Sequence, residues 1–448
     1  MRLHAKPALV VALAASAMLV TACGSTPTAT PSSTTPAPAA PSTTATSSSP
    51  AAPAPVKLTL WHNATGDKGP AFWVAATAAY TKLHPEVTFD IQIVQNEDFD
   101  GKLQTAMAGN TMPDLYLQRG GGKMQEQVDA KMVADITAGI DPTVKSQIGG
   151  GFAIESIGDK IYAMPMSIQP EGFWYNSDLF TKAGVDAAKI KTMADLNDAV
   201  TKLKGSGVAA ISLGAQDAWP AAHWFYQMAL RSCTQAEVLK LGTSGLTDPC
   251  WLNALKALDD FNKTKPFNNG FLTTVAQQGA GSSAGLVANG KAAMELMGAW
   301  QPGVIGGLTP DKQNLASLRF FTFPTIDGGQ GGAGALMAGS DGYSCSAKAP
   351  QPACTDFLNF LGTQAQQEAY ATAFTTLPAN PKASGVVSDP ALKQAAEALG
   401  NSPYTLLWFD SALGQDQGNN LNKAVVALLA GKVDPAGALA QMQAALKG

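Results

Sequence analysis

The chain has 448 residues, of which 14 % are charged and 46 % hydrophobic, with a formal net charge of −4. That length suits two or three domains of ordinary size. With 30 basic against 34 acidic side chains there is no cationic surplus to hold a phosphate backbone, which argues against nucleic acid as a partner.

At the start of the chain, Arg2 and Lys6 precede an uncharged apolar run from Ala8 to Val20, and small residues lead up to Cys23. The pattern reads as a secretory signal over residues 1–22, because the apolar run is too short to span a bilayer. Val20-Thr21-Ala22-Cys23 resembles a bacterial lipobox, which implies cleavage before Cys23 and lipidation of its thiol. An ordinary signal peptide with an incidental cysteine is the alternative. Cleavage would remove Arg2 and Lys6 and no acid, leaving 28 basic and 34 acidic side chains and a net charge of −6. Residues 23–56 follow as a Ser/Thr/Pro/Ala tract without charge or large apolar side chains. Nothing in it offsets the entropy of ordering. It is expected to act as a tether, about 30 Å from end to end as a flexible chain and about 100 Å fully extended.

From residue 57 the pattern changes. KLTLW reads as a strand. Phe72, Ala76, Ala79, Tyr80 and Leu83 form a helical stripe that His84-Pro85 stops, and Val87, Phe89, Ile91 and Ile93 alternate as a half-buried strand. A helix near Asp98 to Gly109 leads to the strand PDLYLQ at 113–118. This β-α-β-α-β order predicts a sheet flanked by helices. The same grammar returns with a helix through Met193, Leu196, Val200 and Leu203, a strand at Val208 to Leu213 and a helix at Trp219 to Leu230. Near the end, Leu421, Val425 and Leu428 mark one helix, and Asp434 before Pro435 looks like the cap of another.

Between these parts lies IYAMPMSIQPEGFWYNSDLF, residues 161–180. Pro165 and Pro170 cannot donate to a ladder, so the segment is expected to pass between structures rather than to pair inside one.

Catalytic and metal motifs find little support. Gly281-Ser282-Ser283-Ala284-Gly285 matches a nucleophile elbow, but the last histidine, His223, precedes it, so the required order of residues is missing. Gly329, Gly331 and Gly334 match a dinucleotide fingerprint without a helix behind them, and the stretch reads as a loop. His62, His84 and His223 form no i, i+4 pair and have no cysteine nearby, so no metal and no cofactor is expected. Cys233, Cys250, Cys345 and Cys354 make an even set in an exported chain. Sequence proximity favours Cys233 with Cys250 and Cys345 with Cys354, while zinc is disfavoured by the absence of C-x-x-C.

Five stretches, in order, carry a family resemblance: KLTLWHN at 57–63, MPDLYLQRGGG at 112–122, YAMPMSIQPEGFWYNSDLF at 162–180, GKAAMELMGAWQP at 290–302 and LLWFDSALG at 406–414. With the lipobox and tether, the chain resembles the extracellular solute-binding proteins of carbohydrate ABC importers, the group that includes maltose-binding protein. The resemblance implies an α/β, two-lobed periplasmic-binding-protein-like type II fold with discontinuous lobes and a hinge. One lobe would comprise 57–165 and 338–377, and the other 166–337 and 378–448. Residues 161–180 would be a lobe-to-lobe crossing, 327–342 the return, and Leu377-Pro378 a third. The resemblance further implies a sugar ligand, an oligosaccharide being favoured, and permease subunits as partners. It implies a monomer held at the extracytoplasmic face of the cell membrane by its lipid anchor alone, without catalysis. An exported carbohydrate-cleaving enzyme and a receptor for a peptide or other polar solute are the alternatives.

A sugar ring needs an aromatic plane for its C–H face and planar polar groups for its hydroxyls. Eight tryptophans are available. Trp61, His62 and Asn63 end the first strand, and Gln118 and Arg119 end PDLYLQ before three glycines. Gln169 lies between the two prolines, and Asp341 sits near the return crossing. Together with Trp219, Trp300, Trp408 and Asp410, where the resemblance places stacking and late polar groups, these are the candidate ligand contacts. Core packing or turn capping is the alternative for each. Trp73, Trp174, Trp224 and Trp251 are read as structural.

Overall fold

The computed structural model describes residues 54–66, 68–243 and 245–447. The signal segment, Cys23 and the tether as far as residue 53 lie outside the described residues. The tether was expected to reach residue 56, but Val56 already opens the first strand, its N–H bonded to Glu86 O.

The described strands are β1 (Val56–His62), β2 (Val87–Ile93), β3 (Leu115–Gln118), β4 (Ser156–Ile157), β5 (Lys160–Ile161), β6 (Met164–Asn176), β7 (Ala209–Ser212), β8 (Ala292–Gly298), β9 (Leu318–Phe321), β10 (Leu336–Cys345) and β11 (Thr405–Leu406). Nine of them form one sheet in the order β2-β1-β3-β10-β6-β8-β7, with β11 added to β10 and β9 added to β6. Helices follow β1, β2 and β7 as their apolar periodicity predicts, over Lys68–Leu83, Asn96–Ala108 and Trp219–Ser232. Asp434 does cap the last helix, Pro435–Ala445, accepting from the Gly437 N–H.

The prolines of 161–180 do not interrupt pairing. β6 is one continuous strand of 13 residues. Each proline falls where the ladder is already irregular: Pro165 sits opposite Gly342 beside a register shift that leaves Met166 of β6 unpaired with β10, and Pro170 occupies the last position paired with β10. From Glu171 onward β6 pairs with β8 and β9 instead. A missing N–H is tolerated at such places. β10 likewise joins β3 at one end and β11 at the other. Residues 377–379 run beside β6, with Ile168 N–H donating to Leu377 O and Ala379 N–H to Met166 O.

Separate cores lie on either side of these shared strands. One gathers Leu58, Leu60, Trp73, Tyr80, Tyr116 and Phe357 around β1 to β3. Beyond the partner switch, successive β6 side chains point to opposite faces. Phe173 therefore joins a core with Trp224, Trp251 and Phe409, while Trp174 joins another with Phe320, Ile305 and Leu392. Trp73, Trp174, Trp224 and Trp251 are all fully buried. No described helix is long and apolar enough to cross a membrane.

Two disulfides fasten helix ends, and their pairing is the one sequence proximity favours. Cys233–Cys250 ties the end of Trp219–Ser232 to the first turn of Pro249–Lys263, and Cys345–Cys354 ties β10 to Gln351–Gly362. Bridges across separations of 17 and 9 residues each restrict the unfolded chain by about 3 kcal/mol. Replacing Cys233 and Cys250 together by serine is expected to lower stability by roughly that amount in a denaturant titration, with little change in far-ultraviolet circular dichroism.

Candidate functional site

A cavity of about 1120 Å³ lies between the first core and the other two. Its walls differ in chemistry. On the side of β6 to β9, Trp219, Trp300 and Trp408 adjoin one another: Trp300 is edge-on to Trp219 at 6.0 Å and to Trp408 at 5.4 Å. Glycine makes room for two of these rings. A Cβ on Gly339 would meet the Trp408 ring at 1.8 Å, and one on Gly298 would meet Trp300 at 2.1 Å. The indoles therefore lie directly on strand backbone, which fixes their planes.

The residues just before and behind these rings are conformationally unusual. Ala218, which precedes Trp219, has φ of 63°, and Lys312 and Thr375, also on the cavity, have 58° and 47°. Non-glycine residues held in this region store strain, which accumulates where surrounding structure dictates the backbone. The Trp219 and Trp300 Nε1 atoms are buried without hydrogen-bond partners in the protein.

The facing wall is polar. Arg119 Nη2 donates to Asn96 Oδ1 at 2.7 Å, and Asn63 Nδ2 donates to the same oxygen at 3.1 Å. Arg119 also lies 3.6 Å from Asp100 and 3.7 Å from Asp341, and Lys123 bonds Asp100 at 2.7 Å. Burial works to raise the Asp100 carboxyl, but Lys123 and Arg119 hold it below the usual carboxylate range. For Asp341 burial outweighs Arg119, and its carboxyl is pushed up. Gln169, on β6, donates to Ser167 Oγ at 2.7 Å, and its carbonyl accepts from Thr376 Oγ1 at 3.3 Å. At the far end Asp410 accepts from Asn422 Nδ2 at 3.1 Å.

The structure thus brings Asn63, Arg119, Gln169, Trp219, Trp300, Asp341, Trp408 and Asp410 to one cavity. Three expected contacts lie elsewhere. His62 shares the inward parity of Leu58 and Leu60 on β1, is fully buried and stacks on Trp73 at 5.6 Å. Burial pushes its imidazole down to about 4. Trp61 faces away from the cavity, with Lys102 Nζ 4.1 Å above its ring. Gln118 is buried beneath the cavity wall, donating to Gln127 Oε1 and Ser344 Oγ while its own carbonyl receives the Arg119 N–H at 2.9 Å, so it positions Arg119 from behind. Asn96, Asp100, Asp217 and His223 also line the cavity. No sequence motif marked them. Ala276 N–H donates to Asp217 at 2.7 Å, and burial raises that carboxyl.

Planar aromatic surface opposite a set of amide, guanidinium and carboxylate groups can hold a polar molecule with an apolar face. Among the described residues no cluster of histidine, cysteine and acids is arranged to hold a metal ion.

Comparison with known proteins agrees. Residues 63–368 match the family of bacterial extracellular solute-binding proteins, and the chain belongs to that family. Its class is that of a binding protein acting outside the cytoplasm, not an enzyme. It is 26 % identical over 355 residues to an uncharacterized ABC transporter extracellular-binding protein of Pyrococcus horikoshii, covering 78 % of this chain and 76 % of that one. In fold it is similar to a protein solved in work on xylan utilization by Caldanaerobius polysaccharolyticus, with a TM-score of 0.79, 23 % identity, and coverage of 87 % of this chain and 99 % of that one. A chitin oligosaccharide binding protein matches with a TM-score of 0.77, 23 % identity, and coverage of 88 % and 98 %. The mixed α/β architecture with its large sheet is the periplasmic-binding-protein-like fold.

One buried acid behind the cavity gives a pH-dependent prediction. Glu155 is fully buried against Gly342, where β6 and β10 shift register. Burial pushes its carboxyl up to about 8, the Ser340 hydroxyl working against this and the Asp341 charge adding to it. An acid whose folded value exceeds its unfolded value stabilises the fold below the unfolded value, and that contribution is lost as pH rises toward the folded one. The wild-type melting temperature is therefore expected to fall between about pH 5 and about pH 8 from this group, and Glu155→Gln is expected to flatten that slope. Melting curves at several pH values check it.

Proposed function

We propose that this chain captures a saccharide, most suitably an oligosaccharide, for an ABC importer. The observation that carries the reading is the convergence of three indoles on one wall and the Asn63, Asn96 and Arg119 network on the other, around a single cavity. Indole planes suit the C–H faces of pyranose rings, and the amide and guanidinium groups suit their hydroxyls. At about 1120 Å³ the cavity exceeds the roughly 300–1,000 Å³ usual for small-molecule sites, which supports a ligand of more than one ring. The names of the two structural neighbours, one for chitin oligosaccharides and one from xylan utilization, support the same class.

In this reading residues 57–165 with 338–377 form one lobe, and 166–337 with 378–448 the other. β6, β10 and the 377–379 segment serve as the hinge, and closure brings the polar wall onto a sugar resting on the indoles. The protein works as a monomer without cofactor and delivers its ligand to permease subunits. Residues 1–22 direct export, and Cys23 carries the lipid anchor, which holds best as a dual acyl modification. The 23–55 segment spaces the body from the membrane.

A panel of neutral oligosaccharides, tested by thermal shift on protein beginning after residue 23, is expected to contain at least one that raises the melting temperature and changes tryptophan emission. No shift with any saccharide, together with a shift from a peptide or other polar solute, would reverse the assignment of ligand class. Trp300→Ala is expected to weaken binding of that saccharide by about 30-fold or more, the loss of roughly 2 kcal/mol typical of a buried aromatic anchor. Titration calorimetry measures it.

A further inference from the structure

Glu171 is a buried acid for which the binding site has no direct use. It is fully buried at the point where β6 changes partners, and among the described residues neither lysine nor arginine is paired with it. Its Oε2 accepts from Trp408 Nε1 and lies 3.0 Å from His223 Nδ1, though without the alignment of a good hydrogen bond. Its Oε1 accepts from Gln227 Nε2 at 3.3 Å. His223, 3 % exposed, lies parallel to the Trp408 ring, with centroids 5.5 Å apart and planes 6° apart. Carboxylate, imidazole and indole therefore form one unit, two members of which line the cavity.

A carboxyl fully removed from water keeps its charge only beside a counter-charge, and the imidazolium of His223 is the cation within reach. The other titratable groups facing this unit are Asp410, from Phe409–Ala412, and Tyr226, one turn along the helix, whose ring centroid is 5.5 Å from that of His223. We propose that Glu171 and His223 are positioning residues for the Trp408 indole, and that the proton on His223 holds the unit together. The inference rests on the saccharide reading only for its purpose, which is to present that indole to a ligand. Burial by itself would lower the His223 value, but the charge of Glu171 and the charge of Asp410 raise it above that of an ordinary histidine. The arrangement is thus intact while the proton is in place and loosens as the proton leaves with rising pH.

The test needs no sugar, so its failure is separable from failure of the saccharide reading. An imidazolium stacked on an indole quenches its emission more than neutral imidazole does. Tryptophan emission of the ligand-free protein, followed from about pH 5 to about pH 9, is expected to rise in one step with a midpoint above the ordinary imidazole value. The other histidine stacked on a tryptophan, His62 on Trp73, titrates near 4 and stays outside that range. In Glu171→Gln the midpoint is expected to fall, because burial is then opposed by Asp410 alone. His223→Gln is expected to lose the step. Trp408→Phe is expected to lose the larger part of its amplitude, with Trp219, 5.1 Å from His223, carrying the rest. A step that persists in His223→Gln, or a midpoint unmoved in Glu171→Gln, overturns the proposal. If circular dichroism shows Glu171→Gln unfolded, proton NMR titration of His223 in the wild type decides: a midpoint above the ordinary value supports the pair, and one at or below it overturns it.

Discussion

The structure depends on one strand serving two neighbourhoods. β6 pairs with β10 as far as Pro170 and with β8 and β9 from Glu171 onward, so one run of backbone belongs to both sides of the cavity. Backbone hydrogen bonds of a strand must be satisfied along its whole length. The change of partner achieves that without a break, and it places Gln169 on the cavity and Glu171 behind Trp408 within three residues of each other. β10 and the 377–379 segment repeat the arrangement alongside. In the proposed two-lobe reading these are the segments that join the halves, an arrangement that would favour rotation of one half against the other over independent unfolding of either.

The unlike walls follow from this geometry. On one side glycines at 298 and 339 let indoles rest on strand backbone, and a purely aromatic surface can be built without a protruding side chain beneath it. On the other, the ends of β1 and β3 and the start of the helix Asn96–Ala108 deliver polar side chains that bond first to one another. Such a network is already ordered before a ligand arrives, so less side-chain entropy is lost on binding. The balance of charge is local: Asp100 is held between Lys123 and Arg119, and Arg119 in turn faces Asp341.

Much of the architecture was legible in the chain itself. The alternation of Val87 to Ile93, the helical stripe from Phe72 to Leu83 and the Asp434 cap each rest on neighbours close in sequence, and each formed the element its pattern implies, although Leu83 and Ile93 at the ends are exposed. The continuity of β6 was hidden because it depends on a distant strand, β10, against which the ladder shifts register at Asp341 and Gly342. Two of the three misplaced cavity contacts, His62 and Gln118, are errors of single-residue parity. His62 turns inward and Asn63 reaches the cavity; Gln118 turns beneath the wall and Arg119 reaches it. A strand reverses facing at every residue, so a motif that locates the end of a strand does not by itself choose which of two adjacent side chains meets the ligand. Glu171 was unreadable for another reason: its partner Trp408 lies 237 residues away.

The central claim is that a ligand held between the indole wall and the polar wall draws the two halves together about β6. Small-angle X-ray scattering of the protein with and without a saccharide that raises its melting temperature tests this most directly. The account predicts a smaller radius of gyration on saturation, reversed when the sugar is removed. Saturation that leaves the scattering profile unchanged would contradict it.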